Sequence, residues 1–365
     1  MLMAISRTPY RVSFFGGGTD LPAYYLKHGG AVISTTLDKY FYVFLHVNGD
    51  DTIQITSSDY RTFFRHEGDL PLLFDGDLSL PRAILHHFNL ARGISMFLAS
   101  EVPPGTGLGS SSTVAVAIIK AVATARGLHL SKHQIAELAC HIEIEKLGTP
   151  IGKQDQYAAA FGDLNLIQFS GDGVTVEPLN VSAETRRALE KNILLFFTGV
   201  TREAATILRA QKQSSEQNDA RVLDALHAVK AMAFEAKEIL ERGELARFGE
   251  MLDAAWQHKK KFARGVSNAL IDSSYELALQ NGALGGKVAG AGGGGFLMIY
   301  CEPPHQAAVT HALEANGLKR IDFRFESEGA RVLVNAGLRI PESALAVNSE
   351  QSTVNSQQST VNSQQ

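Results

Sequence analysis

The segment Pro103-Pro104-Gly105-Thr106-Gly107-Leu108-Gly109-Ser110-Ser111-Ser112 constrains this chain more than any other stretch of it. It follows the apolar run Gly93-Ile94-Ser95-Met96-Phe97-Leu98-Ala99-Ser100, which reads as a strand. It opens a stretch in which Val114, Ala117, Ile118 and Val122 recur at helical spacing. Strand, glycine loop and helix in that order make a phosphate cradle. Glycines let the backbone approach an anion at positive φ, and the new helix offers free N–H groups and the positive end of its dipole. The serine hydroxyls add donors or a Mg²⁺ ligand. The plainer alternative is a turn in which Ser110 or Ser111 only caps the helix.

Three phosphate-binding classes fail against this segment. A Walker A loop needs a Lys followed by Ser or Thr after its last glycine, and no Lys follows Gly109. A dinucleotide fingerprint needs G-x-G-x-x-G and a second strand after the helix, whereas another helical pattern follows Gly127. The downstream Lys and His-Arg-Asp signals of a protein kinase are absent.

The surrounding chain supports a two-domain reading. Its 365 residues are 45% apolar, and the net charge of −4 offers no basic field for nucleic acid or an anionic membrane. Lys259-Lys260-Lys261 is too short to alter that. Two distant cysteines, Cys140 and Cys301, fit a reducing cytoplasm, and the sequence contains neither a signal-peptide plan nor an apolar run of membrane-spanning length. Strands are expected over 31–36, 40–47, 52–56 and 93–100, with helices over 81–89 and 132–146. From residue 190 the pattern restarts. A buried strand over 192–198 precedes helices over 203–215, 217–241 and 243–262, a glycine-rich segment, a strand over 296–300, a helix over 304–316 and strands over 321–326 and 330–335. Residues 347–365 repeat Val-Asn-Ser-Glu/Gln-Gln-Ser-Thr, with one apolar position per repeat, and are expected to be disordered.

The pattern Pro-x-Gly-x-Gly-Leu-Gly-Ser-Ser resembles the second signature of the GHMP kinase family of small-molecule kinases. Two further segments, in the same order, resemble its other signatures. They are Thr8-Pro9-Tyr10-Arg11-Val12-Ser13-Phe14-Phe15-Gly16-Gly17-Gly18-Thr19-Asp20 and Lys287-Val288-Ala289-Gly290-Ala291-Gly292-Gly293-Gly294-Gly295. The resemblance spans about residues 5–337 and implies an α+β, two-domain fold. Residues 1–188 would form a ribosomal-protein-S5-domain-2-like nucleotide-binding domain, 189–337 a ferredoxin-like α/β sandwich, and 338–365 a disordered tail.

The same resemblance assigns roles. Pro103, Gly105, Thr106, Gly107, Leu108, Gly109, Ser110, Ser111 and Ser112 would bind ATP, and Asp155 in Gly152-Lys153-Gln154-Asp155-Gln156-Tyr157 would be the base, held ionised by Arg11. Outside that context an Asp in such a loop is usually a turn or cap residue. Mg²⁺ would take Ser111 and a Glu of the preceding helix. Glu143 and Glu145 flank its apolar face equally, and the family's spacing favours Glu143. Gly17, Gly18, Thr19, Asp20, Gly292 and Gly293 would meet the acceptor. Galactokinases carry Gly-Glu-His-Thr-Asp where this chain has Gly16-Gly17-Gly18-Thr19-Asp20, which argues against galactose. Resemblance at these segments and at Phe197-Thr198-Gly199-Val200-Thr201-Arg202-Glu203-Ala204 points to a heptose 7-phosphate acceptor phosphorylated at its anomeric oxygen. Arg202 and Arg209, seven apart, are then candidates for its phosphate, with Lys287, Lys259 and Arg264 behind them. The implied partners are ATP and a sugar phosphate, with a homodimer admitted. An unphosphorylated fucose- or galactose-like acceptor, a decarboxylase, and a sugar- and nucleotide-binding regulator without turnover are the alternatives.

Overall fold

The computed structural model describes residues 2–346 apart from 69, 202, 203 and 218. Arg202 and the 347–365 repeats lie outside the described residues.

Seven strands come first: β1 (Met3–Phe15), β2 (Gly30–Val47), β3 (Thr52–Ser57), β4 (Thr62–Glu67), β5 (Ile94–Ser100), β6 (Asn165–Ser170) and β7 (Gly173–Pro178). Four more form a second sheet: β8 (Ile193–Phe197), β9 (Gly285–Val288), β10 (Phe296–Tyr300) and β11 (Lys319–Ile321). The chain then returns to the first sheet with β12 (Phe325–Glu326) and β13 (Arg331–Asn335). That sheet runs β13-β1-β2-β5-β3-β4, with β12 and β6 also on β2 and β7 on β6. Its pairs are antiparallel except β3 with β5. The second sheet, ordered β11-β8-β10-β9, is antiparallel throughout, the ferredoxin-like arrangement. The fold is therefore α+β, as its signatures imply.

Two strand expectations, 31–36 and 40–47, merge into the single β2. Asp38 and Lys39 look like a break, but the Asp38 amide donates to Arg324 O at 2.9 Å and its carboxylate accepts from the Arg324 amide at 2.7 Å. The ladder with β1 instead slips opposite Pro9, which has no N–H to donate. The expected strand over 321–326 is split between the two sheets. Ile321 pairs with Leu195 and Phe325 with Leu37, so 325–335 belongs to the sheet that the chain began.

The helix Ser110–Ala125 is buried nearly all round, its Ala, Val and Ile side chains filling the space between β1, β2 and the flanking helices. Ser131 and Gln134 form a reciprocal capping box that starts the helix Lys132–Cys140. That helix does not run regularly to 146. It passes into a π-helical turn over His141–Lys146, which carries Glu143. Helices Gln154–Phe161 and Ala269–Gln280 and the β6–β7 hairpin went unread in the sequence. Helices Ala204–Glu216, Ala220–Arg242 and Leu245–Lys259 match their expected positions within a few residues. A second apolar cluster, around Trp256, Phe196 and Leu297, sits under the second sheet. Cys140 and Cys301 are both free and buried, and among the described residues no helix is long and apolar enough to cross a membrane.

Candidate active site

The two sheets meet at a cleft of about 550 Å³. From the first domain it is lined by Arg11, the Gly17–Asp20 turn, the phosphate loop and Asp155. From the second it is lined by Lys259, Lys287 and the Ala289–Gly294 turn.

The phosphate loop is held by backbone contact with the second domain. Gly105, Gly107 and Gly109 all have positive φ, at 73°, 84° and 82°. A Cβ on Gly107 would lie 2.5 Å from Ala289 O, one on Gly290 2.6 Å from Gly107 Cα, and one on Gly295 2.2 Å from Thr106 O. The glycines of the second and third signatures thus interlock main chain to main chain, a proximity that side chains would forbid. The Phe296 amide closes the seam by donating to Thr106 O at 3.1 Å. On the other side, the Arg11 amide donates to Leu108 O at 3.2 Å and fastens the loop to β1.

Arg11 is the keystone of the first-domain side. Its Nε donates to Asp155 Oδ1 at 2.7 Å, its Nη2 lies 2.6 Å from the same oxygen, and its Nη1 donates to Gly107 O at 2.7 Å. The arginine is buried, whereas the Asp155 carboxylate is 24% exposed and faces the cleft. Asp155 stands in the first turn of the Gln154–Phe161 helix, where the dipole favours a negative charge. Gly109 leaves it room, since a Cβ there would come within 3.2 Å of Asp155 Oδ2.

Behind the loop, Ser111 Oγ donates to Glu143 Oε1 at 2.5 Å, and Gln156 Nε2 donates to Glu143 Oε2 at 2.8 Å. Burial pushes the Glu143 carboxyl up to about 7, against the pull of these hydrogen bonds. A buried carboxylate joined to a hydroxyl that lines the cleft is a hard-oxygen donor set, and it fits Mg²⁺ completed by phosphate oxygens. Glu145, the alternative, is exposed and pairs with His141 Nδ1 at 2.8 Å.

Asp20 accepts from the Gly18 amide at 2.9 Å, the Gln154 amide at 3.2 Å and Gln154 Nε2 at 3.0 Å. Burial first, and the Asp155 charge second, push its carboxyl above the usual carboxylate range. Gly152 is required beside it, because a Cβ would fall 2.0 Å from Asp20 Oδ2. Ser13 Oγ and Gln154 Oε1 are buried without a partner among the described residues and belong to the same lining. Neither was singled out from the sequence, although Gln154 adjoins Asp155.

Other expected site residues are placed differently. Thr19 turns inward, its hydroxyl donating to Gly16 O at 2.8 Å and lying 3.1 Å from Ala31 O. Thr106 and Leu108 are buried, and with Pro103 they shape the loop without lining the cleft, Thr106 Oγ1 donating to Pro103 O at 3.0 Å. Gly105, Ser110 and Ser112 do line it. So does Gly292, while Gly293 faces Val266, whose carbonyl accepts from its amide at 2.8 Å. Arg209 is exposed on the Ala204–Glu216 helix and does not line the cleft, and neither does Arg264. Among the described residues, the cations that do are Arg11, Lys259 and Lys287.

Comparison with known proteins places the chain among sugar-phosphate kinases. Residues 79–163 match the family profile described as "GHMP kinases N terminal domain", and residues 236–319 match "GHMP kinases C terminal". The chain is 36% identical over 332 residues to a D-glycero-alpha-D-manno-heptose 7-phosphate kinase of Campylobacter jejuni, covering 89% of this chain and 97% of that one. An L-fucokinase/L-fucose-1-P guanylyltransferase of Bacteroides fragilis is 28% identical, with 83% of this chain and 35% of the relative covered. Among solved structures, a D-glycero-D-manno-heptose 1-phosphate kinase from Bacteroides thetaiotaomicron superposes with a TM-score of 0.75. It is 29% identical, and the match covers 91% of this chain and 99% of that one.

Proposed function

The chain belongs to the GHMP kinase family, and on that premise we propose that it transfers the terminal phosphoryl group of ATP to the anomeric oxygen of D-glycero-D-manno-heptose 7-phosphate. The observation that carries the reading is the Arg11–Asp155 pair, set where the phosphate loop meets the Gly17–Asp20 turn. Asp155 accepts the proton of the acceptor hydroxyl. The freed oxygen bonds to the terminal phosphorus, and the bond to the bridging oxygen breaks to release ADP. Arg11 fixes the carboxylate and offsets negative charge as it develops, while the amides of Gly107 to Ser111 receive phosphate oxygens. Ser111 and Glu143 would hold Mg²⁺, which supplies neutralisation of the ATP phosphates.

The choice of acceptor rests on the Campylobacter jejuni relative and on the polar wall of Asp20, Gln154 and Ser13, which suits a polyhydroxylated ring. ADP release is to be followed with Mg²⁺-ATP and a panel of free hexoses, 6-deoxyhexoses, heptose 7-phosphate and heptose 1-phosphate. Turnover confined to heptose 7-phosphate supports the reading. Turnover on free hexoses or fucose alone sinks the acceptor assignment, and no turnover on any member favours a binding protein instead.

A further inference from the structure

The second-domain wall of the cleft holds two ammonium groups that nothing anionic among the described residues accounts for. Lys259, at the end of the Leu245–Lys259 helix, is 9% exposed, and Lys287 on β9 is 5% exposed. Lys259 Nζ donates to Val288 O at 2.8 Å and Gly290 O at 2.5 Å, and Lys287 Nζ donates to Phe14 O at 2.9 Å. Neither meets a carboxylate within ion-pair distance among the described residues. An ammonium carries three N–H donors, so one remains on Lys259 and two on Lys287, and both residues line the cleft. A buried charge without a counter-charge is costly, and a cavity-facing pair of them is a receptor for an anion.

We propose that Lys259 and Lys287 form a phosphate subsite at the seam of the two glycine loops, binding a phosphate dianion of one of the substrates. The inference rests on reading this cleft as a phosphoryl-transfer site. Two sources share that chemistry, the terminal phosphate of ATP and the acceptor's own phosphate. The seam adjoins Gly107, whose carbonyl already holds Arg11, so the subsite extends the cationic surface begun by that residue. Electrostatics agree with the geometry. Burial, then the charge of Arg11, push Lys287 down to about 7, and burial, then Lys287 and Arg11, push Lys259 well below the ordinary lysine range. Among the described residues, Arg11 from β1 and each other are the charged groups these lysines face, with Asp155 on the far side of the arginine. A phosphate arriving there restores the positive charge, so its binding draws protons from solution.

The test is calorimetric titration of the full chain and of Lys259→Met and Lys287→Met with three probes: ADP, a non-hydrolysable ATP analogue, and heptose 7-phosphate. Binding weakened about tenfold or more by both substitutions for the ATP analogue but not ADP assigns the subsite to the terminal phosphate. The same loss for heptose 7-phosphate alone assigns it to the acceptor. Folded variants that bind all three probes within about threefold of the parent overturn the proposal. Repeating the parent titrations at pH 8 in buffers of different ionisation enthalpy needs no variant. Uptake of about one proton with one phosphate probe is expected, and none with any probe overturns the subsite. Should the parent bind nucleotide but neither bind nor turn over the heptose phosphate, the acceptor assignment falls while the nucleotide arm still decides the subsite.

Discussion

The two walls of the cleft carry opposite charge and handle it in different ways. On the first-domain wall, every carboxylate has donors from its own chain. Asp155 has Arg11, Asp20 has two amides and Gln154, and Glu143 has Ser111 and Gln156. On the second-domain wall, Lys259 and Lys287 rest, among the described residues, only on backbone carbonyls. The first wall is assembled before any ligand arrives and, in the proposed function, sets direction and proton transfer. The second is electrostatically incomplete among the described residues and, in the proposed subsite, gains its partner from the substrate. One cleft therefore divides positioning from capture between its two domains.

The sharpest break of that division is Asp155→Asn, which keeps the shape and removes the base. It should lower kcat about 10³-fold with ADP affinity nearly unchanged, measured by coupled ADP release and by titration. Loss of nucleotide binding instead would mean that Asp155 serves the loop and not the chemistry. Next comes Glu143→Gln, expected to weaken the dependence on Mg²⁺ about 10- to 100-fold, seen as a raised Mg²⁺ concentration at half-maximal rate.

The lysine wall is sharpened by stability against pH. Lys287 holds its proton in the unfolded chain up to its ordinary value of 10.5 but loses it near 7 in the fold. Between these the unfolded chain binds more protons, so ligand-free stability should rise with pH across that window. Urea midpoints at pH 7 and pH 9 measure it, and Lys287→Met should reduce the rise. The smallest effect is expected from Arg209→Ala, exposed and off the cleft, at less than about twofold in KM for the sugar phosphate. A tenfold rise would return the acceptor phosphate to that helix.

The same contrast marks what the sequence could disclose. Residues whose work is done by motif and short spacing were legible. Arg11, the phosphate loop, Glu143 and Asp155 converge, and helices such as Ala220–Arg242 stand close to where periodicity set them. Tertiary reach was not. Lys259 sits in a triple-lysine run that reads as a solvated face, and only the approach of Val288 and Gly290 shows that its ammonium is buried. Thr19 reads as an acceptor contact because of its neighbours, yet the tight turn directs its hydroxyl to Gly16 and Ala31. The π-helical turn at His141–Lys146 and the return of 325–335 to the first sheet depend on contacts far along the chain, which local periodicity does not encode.

That return has a consequence for how the protein is made. β1 lies beside β13, with Ala4 opposite Asn335, although the whole second sheet is made between them in sequence. The strand that carries Arg11 must wait until that sheet has been made before its outer edge is covered. Until β13 emerges, the nascent chain therefore carries an open β-edge along β1.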